Sequence, residues 1–332
     1  MSNNKNIGVI GSGSWATAIV KILSNNCDNI NWYFRNADDV EYIKANHHNP
    51  KYLSSVDLDT RKINFFTNVK ECISKSDIVI LAIPSAFLHT SLKEITEGNF
   101  KSKLVFSAIK GIIPEYNLIV GEYLNTVYKI PFESIGVITG PCHAEEVAME
   151  KLSYLTIACS KVANADTLCS SFNCRYIKTT ASDDIYGTEL SAVLKNVIAV
   201  AGGICHSLGY GDNYLAVLVS NAIQEIKRFV DAVHPIERDI KASAYLGDLL
   251  VTAYSLFSRN RNLGNLIGKG YTVKSAVQSM SMVAEGYYAT RGIYEIAYEK
   301  KLKTPIINTV FSILYEGKDA EKQFKKLTEK LT

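Results

Sequence analysis

The 332-residue chain has little net charge, only seven prolines and no long apolar run. Lys and Arg number 36 against 33 Asp and Glu, a formal charge of +3 at pH 7. So small a balance offers no basic field to nucleic acid or an anionic bilayer. The longest apolar runs, residues 78–83 and 197–200, fall well short of the ~20 residues that span a membrane. The seven cysteines are an odd number, without a C-x-x-C pair or metal-ligand spacing. Neither a disulfide framework nor a thiolate metal site is expected; they read as reduced cytosolic thiols. The polar opening, residues 1–6, carries no secretory pattern. His47-His48 stands in a polar stretch and reads as surface, not as a metal ligand. No repeat or low-complexity segment interrupts the chain. What remains, 47% hydrophobic and 21% charged residues, suits a globular protein of one large or two ordinary domains.

One stretch organises the rest. Residues 188–203 place Leu190, Val193, Leu194, Val197, Ile198 and Ala201 at helical spacing along one face. The other face carries Ala192, Ala199, Gly202 and Gly203, with Lys195 and Asn196 among them. Small residues let a second surface approach, and a lysine enclosed there loses hydration. Burial lowers a lysine's pKa, which makes the amine a candidate base near neutrality. The alternative is a lysine that snorkels to water from a core helix.

The chain enters a short apolar strand at residues 6–10 and turns at once through Gly11-Ser-Gly-Ser-Trp-Ala16 into a helix. A lone G-x-G-x-x-A pattern is weak. Between a strand and a helix, it marks a dinucleotide phosphate site. Gly11 and Gly13 permit a tight turn and close backbone approach, so that a pyrophosphate can sit on the helix N-terminus. The second strand, residues 30–34, ends in Arg35-Asn36 where an NAD-selective fold carries Asp or Glu. Arg35 leaves NADP open; the alternative is an arginine pointing to water.

Strand patterns recur at residues 63–66, 77–83, 103–108, 135–139, 155–159 and 176–179, mostly with helical stretches between. The expected fold is α/β: an N-terminal Rossmann-type doubly wound, largely parallel sheet over residues 1–183, then an all-α domain over 184–332. Pro84-Ser-Ala, Lys110-Gly111 and residues 139–144 follow strands at their carboxyl ends, where such sheets bind ligands. Adjacent residues seldom face one another, which argues against a Cys142–His143 dyad. In the helical half Asp248 stands in apolar surroundings, and a buried acid needs a partner. Capping a helix and pairing with Lys195 both answer that need. Ser258-Arg-Asn-Arg-Asn262 is rich in donors and free of acids, a loop suited to an anion. Gly264, Gly268 and Gly270 read as turns, and residues 319–332 as a charged surface helix.

Taken in order, these pieces resemble the NAD(P)-dependent glycerol-3-phosphate dehydrogenases of the bacterial type. The motifs are Gly11-Ser-Gly-Ser-Trp-Ala-Thr-Ala18, Ile109-Lys-Gly111, Gly140-Pro141 with Ala144 and Glu146, Leu194-Lys-Asn-Val-Ile-Ala199, Gly247-Asp-Leu249, Ser258-Arg-Asn-Arg261 and Glu285-Gly286. They cover essentially the whole chain. The resemblance implies a cytoplasmic oxidoreductase that interconverts sn-glycerol 3-phosphate and dihydroxyacetone phosphate for glycerophospholipid synthesis. NAD or NADP is the implied cofactor, with no metal, no nucleic acid and no membrane span. A homodimer is one assembly it allows. It implies Lys195 as proton acceptor, with Asp248 and Lys110 in the catalytic set. Substrate contacts would be Lys110, Gly140, Cys142, Lys195, Asn196, Asp248, Ser258, Arg259 and Asn260. Cofactor contacts would be Gly11, Gly13, Ser14, Trp15, Arg35, Lys110, Ala144, Arg259, Val283 and Glu285.

Three departures from the family pattern bear on this. Ala16 replaces the usual third glycine, Cys142 a hydroxyl residue after Gly-Pro, and Ser220-Asn-Ala222 a common Thr-Arg-Gly. Two rival readings remain. Another two-domain dehydrogenase, acting on a hydroxy acid or sugar nucleotide, would need a cation for a carboxylate but no phosphate-specific loop. A non-catalytic dinucleotide sensor would have no use for a Lys195–Asp248 pair.

Overall fold

The structure, a computed structural model, describes residues 5–332. The chain forms two compact units, the first running through Ile109 and resuming over Val120–Ile185, the second comprising Lys110–Ile119 and Tyr186–Thr332.

The first unit is built on eight strands: β1 (Ile7–Ile10), β2 (Ile30–Tyr33), β3 (Ile63–Phe66), β4 (Ile78–Leu81), β5 (Leu104–Ser107), β8 (Ile135–Thr139), β9 (Ser153–Cys159) and β10 (Ile177–Ser182). Between β5 and β8 in the chain come two short strands of the second unit, β6 (Ile112–Ile113) and β7 (Leu118–Ile119). The sheet order is β10-β9-β8-β5-β4-β1-β2-β3. β1 pairs in parallel with both β2 and β4, so the chain reverses its direction of travel across the sheet at β1. That reversal is where doubly wound sheets open a crevice for a ligand. β1 and β4 are buried along their whole length, as the uninterrupted apolar residues of a parallel sheet covered on both faces require. The one antiparallel junction is β9 on β8, a direction that alternating sequence patterns do not encode.

The second unit is helical apart from the β6–β7 hairpin. Its centre is the helix Ile185–Ser207, in which every residue from 187 to 205 is buried. A helix apolar nearly all round belongs inside a protein. By length and hydropathy it could cross a bilayer, yet 89% of its most apolar window is buried here. Around it lie the helices Asp212–Val233, Asp248–Tyr254, Arg259–Gly268, Glu285–Glu299, Pro305–Leu314 and Ala320–Thr328. Residues 258–262 therefore do not form a loop: Ser258 caps a helix by accepting from the Arg261 N–H, and the rest is its first turn. Gly264 and Gly268 lie inside that helix instead of forming turns, and only Gly270 follows it with positive φ.

Candidate active site

Lys195 is 5% exposed on the central helix. Its Nζ donates to Asp248 Oδ1 and, at 3.0 Å, to Thr252 Oγ1. Asp248 opens the helix Asp248–Tyr254 directly after a π-helical turn over Ser243–Gly247. One helical turn on, Thr252 donates its own proton to the Asp248 carbonyl at 2.7 Å, which leaves its oxygen free to accept from Lys195. The second Asp248 oxygen accepts from Lys110 Nζ at 3.3 Å. Lys110 is in turn held through its backbone, whose carbonyl accepts from Asn196 Nδ2 at 2.7 Å. Burial drives the Lys195 pKa down, Asp248 opposes the shift and Lys110 adds to it, and the balance moves it from 10.5 to about 7. Of the two sequence alternatives for Asp248 the structure chooses pairing: Gly247, not Asp248, is the N-cap, no side chain caps there, and the Asp248 carboxylate binds Lys195 and Lys110.

The phosphate-binding candidates lie on the neighbouring helix. Ser258 and Asn260 are buried, and Asn260 Oδ1 accepts from the Gly286 N–H at 2.8 Å, leaving its Nδ2 as the donor. Arg259 is half-buried, and no carboxylate holds its guanidinium among the described residues. Glu285 opens the helix that Gly286 continues, and Val283 precedes it in a loop.

The other candidates belong to the first unit. Gly11 leaves β1 with φ +131°, and a Cβ there would come within 2.4 Å of the Ala82 carbonyl oxygen. Only glycine fits. The helix Ser14–Leu23 then starts from Gly13 with no side chain capping its first amides, and open space lies where a Gly13 side chain would be. The buried Trp15 Nε1–H has no acceptor. A helix start at a glycine turn, open space beside it and a waiting donor fit a dinucleotide pyrophosphate. Arg35 follows β2, exposed and with no ion pair among the described residues, on a cleft of about 430 Å3. Gly140 follows β8, Cys142 packs half-buried against the first unit's core, and Ala144 starts the short helix Ala144–Ala148. Among the described residues no three His, Cys, Asp or Glu side chains gather to hold a metal.

The NAD-dependent glycerol-3-phosphate dehydrogenase N-terminal profile matches residues 6–165, and the C-terminal profile of the same enzymes matches residues 184–325. The chain belongs to this family. A glycerol-3-phosphate dehydrogenase (NAD(P)+) of an Exiguobacterium species is 35% identical over 323 residues, 97% of this chain and 94% of its own. The enzyme of that name from Bacillus subtilis is 31% identical over 97% of this chain and 94% of its own. The crystal structure of glycerol-3-phosphate dehydrogenase from Coxiella burnetii superposes with a TM-score of 0.90 at 25% identity, covering 98% of this chain and 99% of that one.

Within this family member's site, sequence reasoning missed Thr252 altogether, and for Asn196 and Arg261 it missed the bonds that they make. Thr252 lies four residues after Asp248, a spacing that a helix puts on one face, so the signal was present. The Asn196 bond to the Lys110 backbone links residues far apart in sequence and left no local trace. Arg261, buried at 7% exposure, donates from Nη1 to the Tyr254 carbonyl at 2.8 Å and so ties the helix bearing Arg259 to the end of the one bearing Asp248.

Proposed function

We propose that the protein interconverts sn-glycerol 3-phosphate and dihydroxyacetone phosphate by hydride transfer with NAD(P), with Lys195 as the group that moves the proton. The observation that carries this reading is Lys195 itself, buried between Asp248 and Thr252 with its pKa brought near neutrality. A base with a pKa close to the working pH is present in useful amounts in both protonation states. When bound, the nicotinamide supplies or takes up the hydride. Everything else falls to side chains.

In the oxidative direction neutral Lys195 takes the proton of the C2 hydroxyl as hydride leaves that carbon. In the reductive direction its ammonium returns a proton to the carbonyl oxygen. Asp248 and Thr252 fix the direction of Nζ, and Lys110 shares the Asp248 carboxylate, so neither lysine has it alone. The Lys195 pKa is thus set by burial together with both neighbours, Asp248 raising it and Lys110 lowering it. Arg259 and the Asn260 amide hold the phosphate, which a guanidinium can grip in two places at once. Gly11, Gly13, Ser14, Trp15, Arg35 and Ala144 of the first unit hold the dinucleotide.

The product glycerol 3-phosphate suits supply of glycerophospholipid synthesis. A cytoplasmic location accords with seven cysteines that form no disulfide. A homodimer is the assembly to test by sedimentation. The deciding assay follows oxidation of NADH and NADPH with dihydroxyacetone phosphate, against unphosphorylated dihydroxyacetone. We expect turnover with the phosphate ester and far less without it. Preference for a hydroxy acid or a sugar nucleotide would replace this reading with the rival dehydrogenase, and no turnover of any of these would favour the sensor.

A further inference from the structure

The cleft beside Arg35 contains a second cation and an acid that the dinucleotide fingerprint does not include. Its walls include Ser12, Arg35, Asn36, Asp39, Lys51 and Tyr52. Ser12 belongs to the glycine turn after β1, and Arg35 to the end of β2. Between them lies the place where doubly wound folds read the adenosine ribose. No acid stands at the end of β2. The nearest one in the cleft is Asp39, four residues later, on a helix whose start is fixed by Asn36 accepting from the Asp38 N–H at 2.9 Å. Lys51 Nζ binds the Asp39 carboxylate at 2.8 Å, with side chains 55% and 16% exposed respectively.

Lys51 does not hang on a loose loop. Asn49, 2% exposed, accepts from the Lys51 and Tyr52 N–H groups at 3.0 and 3.1 Å. Its amide nitrogen donates to the Ser12 carbonyl at 3.0 Å and to Thr17 Oγ1 at 2.9 Å. One buried asparagine therefore fastens the Lys51 backbone to the phosphate-binding turn. The Lys51 backbone is held beside that turn, while its ammonium is half-exposed.

We propose that this cleft takes the 2′-phosphorylated ribose of NADP, held jointly by Arg35 and Lys51, and that Asp39 limits how strongly that ribose is preferred over the unphosphorylated one. Formal charges in the cleft are two cations against one anion, so a 2′-phosphate carrying about −1.5 to −2 meets a net attraction. Asp39 alone would repel that phosphate. Bound to Lys51 it is neutralised, and the same ammonium has further donors to turn toward a phosphate oxygen. With an unphosphorylated ribose nothing draws Lys51 away, and the pair remains as it stands.

The proposal rests on the reading that the first unit holds the dinucleotide, and the test separates the two. Calorimetry on the full-length protein compares adenosine 2′,5′-bisphosphate with 5′-AMP, for wild type, Lys51→Gln and Asp39→Asn. The expected result is tighter binding of the bisphosphate by wild type. Lys51→Gln lowers that affinity about tenfold or more, the effect of one lost charge-assisted contact, while 5′-AMP changes less than twofold. Asp39→Asn raises bisphosphate affinity severalfold. If Lys51→Gln weakens both nucleotides equally, Lys51 only shapes the loop, and if it changes neither, the ion pair is a surface pair alone; either result overturns the proposal. Failure of wild type to bind 5′-AMP at all would instead remove the dinucleotide reading of the cleft, and the proposal with it.

Discussion

Gly203 on the Lys195 helix and Gly264 on the Arg259 helix approach so closely that neither has room for a side chain. A Cβ on Gly203 would lie 2.0 Å from the Arg261 carbonyl oxygen, and one on Gly264 would lie 2.1 Å from that of Val200. Both obstacles are backbone, which cannot swing aside as the end of a long side chain can. The crossing fixes the helix that carries Lys195 against the helix that carries Arg259 and Asn260. Small residues on the polar-looking face of 188–203 thus have a packing reason as well as an electrostatic one.

Gly264→Ala should push the two helices apart. Overpacking of this kind costs about 1–3 kcal/mol, which in a protein of this size lowers Tm by several degrees. Because the displacement also separates Lys195 from Arg259, kcat/KM for dihydroxyacetone phosphate should fall about tenfold or more, the scale of a misplacement near 1 Å. Gly211→Ala is the control. Open space surrounds Gly211, so no atom must shift, and its replacement should cost at most ~1 kcal/mol through the weakened N-cap of the helix Asp212–Val233, with kcat/KM unchanged. Equal effects of the two changes on melting and on kcat/KM would show that the crossing does not position the site.

Much of this was legible in the sequence, for identifiable reasons. β1, the glycine turn and the helix after it form one local unit whose pattern and geometry coincide, and residues 135–139 were read as the strand they form. Strands 77–83 and 103–108 prove shorter, ending at Leu81 and Ser107, because apolar residues continue past the last paired one. The β6–β7 hairpin was missed: four residues of strand leave too little alternation to detect. Residues 258–262 were read as a loop because they are polar, but a first helical turn capped by Ser258 is polar too. Pairing Lys195 with Asp248 was one of two readings of a buried acid, and only tertiary structure chose it.

Lys195→Met keeps the stem of the side chain and removes the base. Turnover should fall by ~10²–10⁴-fold, the usual worth of a general acid–base group. Binding of NADH, followed by fluorescence, should stay close to wild type. Turnover within a few-fold of wild type would take Lys195 out of the mechanism.

The lowered Lys195 pKa fixes opposite pH trends for the two directions. Oxidation of glycerol 3-phosphate needs the neutral amine, so its kcat should climb as pH rises through about 7 and then level off. Reduction of dihydroxyacetone phosphate needs the ammonium, so its kcat should decline over the same range. Asp248 is the neighbour that raises this pKa. Asp248→Asn should therefore move both midpoints to lower pH, on top of any loss of rate. Midpoints that stay where they were would assign the titration to another group.

Glu225 supplies a stability test away from the site. It is fully buried and accepts from the N–H groups of Ile306 and Ile307 at 2.7 and 3.3 Å, at the start of the helix Pro305–Leu314. Burial outweighs those bonds and raises its pKa from 4.5 to about 7. Between these values the folded protein holds a proton that the unfolded chain has released, so stability falls as pH rises across the window. The full cost, on the order of a few kcal/mol, stands above it. Glu225→Gln should flatten the decline of Tm between pH 5 and 7.5, whatever it does to Tm at pH 5. A variant with the wild-type slope would place the titration elsewhere.

Phosphate recognition separates this reading from its nearest rival. Arg259 stands in the first turn of its helix with no carboxylate on its guanidinium among the described residues, next to Asn260, whose oxygen is already committed to Gly286. Both therefore have donors to spare. Charge-assisted hydrogen bonds are worth roughly 1.5–3 kcal/mol each, so Arg259→Leu should lower kcat/KM for dihydroxyacetone phosphate by about tenfold to a hundredfold or more. With unphosphorylated dihydroxyacetone the same change should cost far less, since there is nothing for the guanidinium to hold. Because Arg259 is also a candidate cofactor contact, NADH affinity is measured in parallel and divided out. A loss that is equal for the two substrates after that correction would make the arginine structural or cofactor-directed. The site would then have lost its phosphate anchor, and a substrate bearing a carboxylate would be the better reading.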